Sequence, residues 1–315
     1  MKKIISIFIL LLVSGCSVQR ITEVLFIASI GIEKEEDEYV GYFYLPSSED
    51  VGKTNDFGTG VGQYAKIRAD SLEMLFGKSQ SNVELMMDLR HVASIIINES
   101  LLNEEFINEM IDFFKSSNLC DFNFYLFVTK DEFEDIYGFK NPNKESVLNS
   151  IIVSTTDSSA LFLSCSPLHF LNFCRDYFKD RCIKIPYLVV DKIWIDNKEE
   201  ISSFHCSNMV LYYKNKYRVV LDNLGFYVKK NTHFFDKMGE FYFEIKDYDW
   251  RLMIKNKIII DVKFESNLSL DLIVKDKISL FIESYKEMDP FNLVYYNNVY
   301  NKNLSYEDIF ININN

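Results

Sequence analysis

His91-Val92-Ala93-Ser94-Ile95-Ile96-Ile97-Asn98-Glu99 is the stretch from which the fold can be worked out. Its mainly apolar run predicts a strand from His91 to Ile97, which ends at the polar pair Asn98 and Glu99. The next segment, Asn103 to Phe114, has the spacing of an amphipathic helix. Its predicted apolar stripe consists of Phe106, Met110, Phe113 and Phe114.

The same alternation of elements continues after this helix. Phe122 to Thr129 alternates in the manner of a strand, and Asp131 to Tyr137 predicts another short helix. The order strand, helix, strand, helix within about fifty residues favours a compact α+β or α/β unit.

Upstream of His91 the sequence predicts two more strands. Leu25 to Ile32 forms the first, and Tyr39 to Leu45 forms the second. We expect cover on both sides of the second strand, because both of its faces are apolar: Val40, Tyr42 and Tyr44 on one, and Tyr39, Phe43 and Leu45 on the other. We interpret the acidic cluster Glu33 to Glu38 between the strands as a solvated hairpin turn. Tyr64 to Phe76 has near-helical spacing of its apolar residues.

After Pro186 the pattern changes to closely spaced strands. The predicted strands are Tyr187–Ile195, Phe204–Tyr213, Tyr217–Leu221, Phe241–Ile245, the pair Lys257–Phe264 and Leu268–Val274, and a closing strand Glu307–Asn312. Such intervals favour a twisted antiparallel sheet, in which Lys275–Lys286 is the one credible helix. The sequence therefore predicts a multi-domain α+β protein with a mixed α/β unit first and an antiparallel-sheet-rich unit second. We place the boundary near Val190 to Lys198, with regions 21–190 and 191–315.

The first residues have the layout of a secretory signal. Two lysines precede the apolar run Ile4 to Val13, which is shorter than the roughly 20 residues that span a bilayer. The ending Leu12-Val13-Ser14-Gly15-Cys16 resembles a bacterial lipobox. That resemblance implies cleavage between Gly15 and Cys16, diacylglycerol on the Cys16 thiol and a lipid-anchored tether at residues 16–20. Residues 1–15 are then a signal peptide.

The charge of the chain limits its partners. The formal charge is −12, and it becomes −14 once Lys2 and Lys3 are removed. An acidic body gains nothing from nucleic-acid phosphates and is mildly repelled by anionic lipid. Nucleic acid is therefore not an expected partner, and lipid on Cys16 must hold the protein at the membrane. Two acyl chains at about 0.8 kcal/mol per buried methylene are sufficient for this.

One group of cysteines could in principle bind a metal. The spacing Cys165-x3-His169-x4-Cys174-x7-Cys182 contains zinc-type ligands but lacks the paired short spacings of structural zinc sites. Ser166-Pro167 is typical of a helix start, and the predicted helix to Asp176 would have Leu168, Leu171 and Phe178 on its apolar side. His169 and Cys174 would then point away from each other. We therefore predict free buried thiols, with no metal and no cofactor.

Catalytic motifs are missing from the sequence. It has no G-x-S-x-G, P-loop or H-E-x-x-H, and its histidines lie in unrelated contexts at 91, 169, 205 and 233. We predict no catalytic residues and a protein that is not an enzyme. The sequence assigns no ligand-binding residues.

The order of elements resembles the Ger(x)C lipoproteins, the C subunits of spore germinant receptors. Gly31-Ile32-Glu33-Lys34 is similar to the family's opening strand end, and the segment from His91 to Leu101 parallels a family strand and turn. Pro167 to Phe178 and Lys184 to Val189 resemble the inter-domain helix and connector. Asp289-Pro290-Phe291-Asn292 resembles the segment after the C-terminal helix. The chain departs from the family at Asn98, where glycine is usual, and in a shorter region after Lys275.

The resemblance implies a lipoprotein subunit of a nutrient germinant receptor that is required for spore germination. Its implied partners are multi-spanning membrane subunits of the same receptor, and its implied location is the outer face of the cytoplasmic membrane, in the inner membrane of the spore. The alternative is a solute-binding lipoprotein of a transporter. That class needs two α/β lobes around a cleft, which the sheet-rich region after Pro186 disfavours.

Overall fold

The computed structural model describes residues 24–45, 63–81, 86–117, 122–138, 168–196 and 199–220, and shorter segments at 234–238, 241–245, 249–254, 258–263, 276, 279–280 and 282–314. Helices and a large mixed sheet are both present in these residues, so the predicted α+β class is confirmed.

A nine-stranded sheet forms the centre of the molecule. From one edge to the other it contains β11 (Lys216–Val220), β10 (Glu199–Tyr213), β9 (Ile183–Asp196), β7 (Tyr125–Thr129), β6 (Ser94–Asn98), β2 (Ser29–Glu35), β3 (Glu38–Leu45) and β4 (Gln63–Ala69). β8 (Leu168–His169) pairs with β7 outside this order. β2, β6, β7 and β9 are parallel to one another, while β3, β4, β10 and β11 join by antiparallel pairing. A separate parallel pair consists of β1 (Val24–Phe26) and β5 (Met86–Asp88).

The central strands are apolar on both faces because both faces are covered. On β6, Ile95 and Ile97 belong to one core and Ile96 to the other. β3 divides its aromatic residues in the same way, with Tyr42 in one core and Phe43 in the other. This is the burial pattern of strands inside a parallel or mixed sheet, and the predicted two-sided cover of β3 is confirmed.

Helices cover the two faces unequally. The larger core includes residues of α1 (Leu72–Ser81), α2 (Glu104–Ser116) and α4 (Phe170–Tyr177), and the smaller core includes the residues of α3 (Phe133–Tyr137). α2 begins where predicted, because the Asn103 side chain accepts a hydrogen bond of 3.0 Å from the Phe106 N–H.

Three local predictions were wrong. Tyr64 to Phe76 is not one helix but strand β4 followed by helix α1. α4 begins at Phe170, and it buries Phe170 and Phe173 while Leu171 and Phe178 are 59% and 63% exposed. Glu33 is not solvated; it is 8% exposed on β2. The hairpin turn itself contracts to two residues, 36–37.

Beyond Val220 the described segments form smaller sheets. β12 (Phe234–Met238) pairs with β13 (Phe241–Ile245), and β14 (Asp249–Ile254), β15 (Ile258–Lys263) and β16 (Ile309–Asn314) form a second group. β14 and β15 are antiparallel, whereas β15 and β16 are parallel. The predicted strand Leu268–Val274 lies outside the described residues. The predicted helix Lys275–Lys286 is present at the described residues 276, 279–280 and 282–285. A helix not predicted from the sequence, α5, spans Leu293–Tyr300.

β9 passes through the predicted domain boundary, and the central sheet continues to Val220. The limits of the two regions stay a prediction. Among the described residues, the structure has no helix with the length and apolarity needed to cross a membrane.

Candidate functional site

The residues of the possible metal site do not come together in the described part of the chain. Cys165 lies outside it, His169 packs its ring 4.2 Å from that of Tyr125, and no group of three metal-ligating side chains is present there. Cys174 and Cys182 are free. Burial raises the pKa of the Cys174 thiol to about 11 and that of Cys182 to about 12. Both are therefore neutral thiols at physiological pH, and neither is a ready metal ligand or nucleophile.

The histidine and the glutamate that flank β6 have contacts of an architectural kind. His91 packs edge-on against Phe26, with ring centroids 5.4 Å apart. Glu99 accepts a hydrogen bond of 2.8 Å from the Tyr187 hydroxyl on β9. These contacts fasten the two ends of β6 to neighbouring elements and bring no acid or base to a nucleophile.

A carboxylate–tyrosine network, formed by Glu33, Tyr42, Glu134, Lys66 and Glu35, is the most distinctive polar site of the sheet. The Tyr42 hydroxyl lies 2.7 Å from Glu33 Oε1 and 2.9 Å from Glu134 Oε1. Lys66 Nζ is 3.0 Å from both Glu134 and Glu35, and it lies 4.8 Å from the centroid of the Tyr42 ring. Three strands and helix α3 thus meet through one hydroxyl and one ammonium group.

The two carboxyl groups that face Tyr42, those of Glu33 and Glu134, differ in how readily they take up a proton. A phenol has a single hydrogen to donate, so two ionised carboxylates cannot both be satisfied by Tyr42. Burial raises the pKa of Glu33. Burial also opposes ionisation of Glu134, but hydrogen bonds from Lys66, from its own backbone N–H and from Tyr42 lower its pKa overall. Of the two carboxyl groups that face the Tyr42 hydroxyl, Glu33 is therefore the one that takes up a proton more readily as pH falls.

A second buried polar contact closes the smaller core between β2, β6 and α3. Ser94 donates to the Ser29 hydroxyl at 2.8 Å, and the Tyr137 hydroxyl lies 2.9 Å from Ser29. All three side chains are buried. Because each hydroxyl finds a partner, the chain of bonds stabilises the core without leaving a polar group unpaired.

The third site is the C-terminal junction, formed by Asp289, Asn292 and Tyr306. Asp289 is 2% exposed and accepts hydrogen bonds from the backbone N–H groups of Leu293 and Val294, at 2.6 and 3.0 Å. The Tyr306 hydroxyl donates to the same carboxylate at 2.6 Å. Asp289 thus fixes the first turn of α5 and the segment that follows that helix.

The junction also attaches this segment to the central sheet. The Asn292 side chain accepts a hydrogen bond of 2.7 Å from the Cys182 N–H, next to the start of β9. The guanidinium of Arg181 lies 3.9 Å from the centroid of the Tyr295 ring. Arg218 on β11 pairs with Glu287 at 3.1 Å. The segment from Asp289 to Asn292, which resembles a family motif, therefore has a structural role: it attaches the C-terminal residues to the central sheet.

Sequence reasoning missed Glu33 and the role of Asp289. Glu33 could have been found from alternation, because the hairpin places it opposite Val40 on a strand whose neighbour is buried on both faces. Nothing local marks the partners of Asp289. The predicted functional residues Gly15 and Cys16 lie outside the described residues, so lipidation stays a prediction.

Comparison with known proteins gives two matches. Residues 17–190 match the family model described as the spore germination protein N-terminal domain. The crystal structure of the GerBC protein is similar over 90% of this chain and 95% of that chain, at 13% sequence identity and a TM-score of 0.46. No curated protein matches the chain.

Proposed function

The chain belongs to the Ger(x)C family of spore germination proteins, and we propose that it is the lipoprotein subunit of a nutrient germinant receptor. One observation carries the proposal: the family match starts at residue 17, directly after the lipobox cysteine, and extends to residue 190. The predicted export and lipidation signal would thus lead straight into the germination domain.

The proposed attachment is a lipid on Cys16. Cleavage before Cys16 would put the body on the outer face of the cytoplasmic membrane, which in a dormant spore is the inner membrane. The acidic body has no charge attraction to anionic lipid, so the anchor has to supply the affinity.

Within the receptor we propose a scaffold without catalytic activity. His91 and His169 pack against aromatic rings, and the thiols of Cys174 and Cys182 are neutral. The carboxylates of the network are paired with one another through Tyr42 and Lys66. Anchoring confines the body near the multi-spanning subunits and raises their effective concentration, so modest direct affinity is enough.

The distribution of aromatic residues supports an interaction role. Most of the described ones fill the two cores, but Phe178 and Tyr217 are 63% and 38% exposed. Exposed aromatic residues are favoured at the centres of interfaces. The solute-binding alternative is not proposed, because β2–β4, β6, β7 and β9–β11 form one continuous sheet instead of two lobes.

Germination of a deletion strain tests the function. In a background that lacks its other germinant receptors, spores without this chain should fail to lose optical density in nutrient mixtures, and the wild-type gene should restore the response. Colony formation after a germination treatment that does not depend on nutrients serves as the viability control. Normal germination of the deletion spores in every nutrient mixture would contradict the proposal.

Crosslinking in spore membranes tests the scaffold role separately. We expect the chain to capture multi-spanning receptor subunits. A chain that captures none of them, and whose purified soluble form turns over a substrate, would refute a non-catalytic scaffold while leaving the germination phenotype in place.

A further inference from the structure

Three parallel strands begin at the same edge of the central sheet, and each is preceded by a side chain that faces solvent. β2, β6 and β7 start in register at Ser29, Ser94 and Tyr125. The residues three positions earlier are Phe26, His91 and Phe122. Phe26 is 41% exposed, Phe122 is 36% exposed, and His91 is also exposed.

These side chains are held in one surface by contacts between their segments. Phe26 packs on His91. Ala93 connects the segments that precede β2 and β7, since its N–H donates to the carbonyl of Ala28 and its carbonyl accepts from the N–H of Tyr125. Phe122 stacks on Phe170, with ring centroids 6.5 Å apart. Leu171, next to Phe170, is 59% exposed. We call the surface of Phe26, His91, Phe122 and Leu171 the aromatic edge.

The opposite edge of the same strands is strongly acidic. The segments that follow β2, β6 and β7 contain one lysine, Lys130, and the acidic residues Glu36, Asp37, Glu38, Glu99, Asp131 and Glu132. In the described segments of the aromatic edge (residues 24–28, 88–93, 122–124 and 168–171) the acidic residue is Asp88. Its carboxylate pairs with Arg90 at 2.6 Å. β2, β6 and β7 thus have an acidic end, and an opposite end at which segments 24–28, 88–93, 122–124 and 168–171 are mainly apolar.

The chain enters the body at the apolar end. β1 starts at Val24 and is fastened by its pairing with β5, two residues before Phe26. Only residues 17–23 separate Val24 from Cys16. Eight residue steps of extended chain span at most about 28 Å. A lipid on Cys16 would therefore keep the aromatic edge close to the membrane.

We infer that the aromatic edge rests on the lipid surface, with Phe26, Phe122 and Leu171 in the headgroup layer and the acidic end directed away from the membrane. This inference rests on the lipid anchor of the proposed function. Apolar side chains gain free energy by leaving water, and aromatic residues are suited to the interface. Anionic headgroups repel the acidic end, so charge and apolar contact favour the same orientation.

Tryptophan substitution in the lipidated full-length protein tests the orientation. Phe26→Trp, Phe122→Trp and Leu171→Trp place a reporter at the aromatic edge, and Glu132→Trp places one at the acidic end. Each variant is reconstituted in phosphatidylcholine–phosphatidylglycerol vesicles with and without brominated acyl chains, and the signal of Trp194 and Trp250 is subtracted with the wild-type protein. Circular dichroism checks that each variant is folded.

The expected result is a blue shift and loss of emission from the aromatic-edge variants in brominated vesicles, with no loss from Glu132→Trp. Flotation of the vesicles separates the two proposals. If the protein floats with the vesicles, but brominated lipid quenches Glu132→Trp as strongly as the aromatic-edge variants, the orientation is overturned and the anchor is left intact. Protein that does not float would overturn the anchor and the inference together. In vesicles that also contain the membrane subunits of the receptor, protection of the aromatic-edge reporters from soluble acrylamide without quenching by brominated lipid would assign the edge to a protein partner and refute lipid contact.

Discussion

The ring of Phe133 lies directly on the backbone of Gly31. A Cβ atom built on Gly31 would stand 2.3 Å from Cδ1 and 2.5 Å from Cε1 of that ring. Phe133 is fully buried, and it anchors α3 over β2 in the smaller core. Gly31 is thus required for space, and the close contact gives a physical reason for the Gly31-Ile32-Glu33-Lys34 segment.

Gly31→Ala should destabilise the protein by about 1–3 kcal/mol, the usual cost of overpacking a core. The added methyl group forces the Phe133 ring, and α3 with it, away from the sheet. Denaturant unfolding of the soluble body should show a lower midpoint with an unchanged slope.

Gly77→Ala is the matched control, because nothing lies within 4 Å of a Cβ at Gly77 in helix α1. We expect it to be neutral or to stabilise by up to about 1 kcal/mol, since alanine is the better helix former. Equal unfolding midpoints for Gly31→Ala and Gly77→Ala would show that α3 can move away from the sheet at no cost, and that the contact between Gly31 and Phe133 does not affect stability.

Much of the fold could be predicted where the periodicity of apolar residues is clear. The two faces of β3 and the start and apolar stripe of α2 are confirmed, because the pattern within a single strand or helix determines them. α4 shows the limit. Its segment has apolar residues at 170, 171, 173, 177 and 178, which define two overlapping faces. Packing of Phe170 and Phe173 into the larger core, and not the local pattern, decides which face is buried.

The polar sites depended on partners that are distant in sequence. Glu33 meets Glu134 through Tyr42, and Asp289 meets Tyr306, a residue 17 positions away. The resemblance drew attention to Asp289 to Asn292 but gave no reason for those residues. Hydrogen bonds to Cys182 and to the first turn of α5 supply it.

Tyr306→Phe should loosen the C-terminal junction. It removes a 2.6 Å hydrogen bond to the buried Asp289 carboxylate, and bonds to charged groups contribute about 1.5–3 kcal/mol. Amide exchange in residues 293–300 should accelerate. Glu287→Gln is the control, because its ion pair with Arg218 is more than half exposed and contributes little. Unchanged protection of α5 in Tyr306→Phe would mean that other contacts hold the helix.

Glu33→Gln should change the pH dependence of stability. Burial raises the pKa of Glu33 in the folded state, so the protonated form is the one that folding favours. The protonated Glu33 side chain stabilises the fold fully at pH values below the pKa that it has in the unfolded chain. This stabilisation is lost as pH rises through the pKa that it has in the folded chain. The Gln variant keeps a neutral side chain, and its stability relative to wild type should therefore increase with pH above about 4.5. Chemical unfolding at a series of pH values measures this.

Glu134→Gln should show the opposite sign. Bonds from Lys66, its own backbone and Tyr42 outweigh burial and lower the pKa of Glu134, so the wild-type carboxylate stabilises the fold above its unfolded pKa and loses that effect as pH falls. Glu134→Gln should be less stable to unfolding than the wild type at neutral pH, and this difference in stability should shrink as pH falls. Parallel pH profiles for the two variants would contradict the opposite pKa shifts of Glu33 and Glu134.

Cys16→Ala should abolish lipid attachment. The apolar run Ile4 to Val13 is shorter than a membrane span, so the variant should appear as an unlipidated precursor that is poorly retained at the membrane. Metabolic labelling with a radioactive fatty acid, followed by immunoprecipitation, measures the lipid directly. Cys174→Ala is the control, because that thiol is half-buried in α4 and should leave labelling unchanged. Label that persists in Cys16→Ala would refute the anchor, whatever the germination phenotype of the strain.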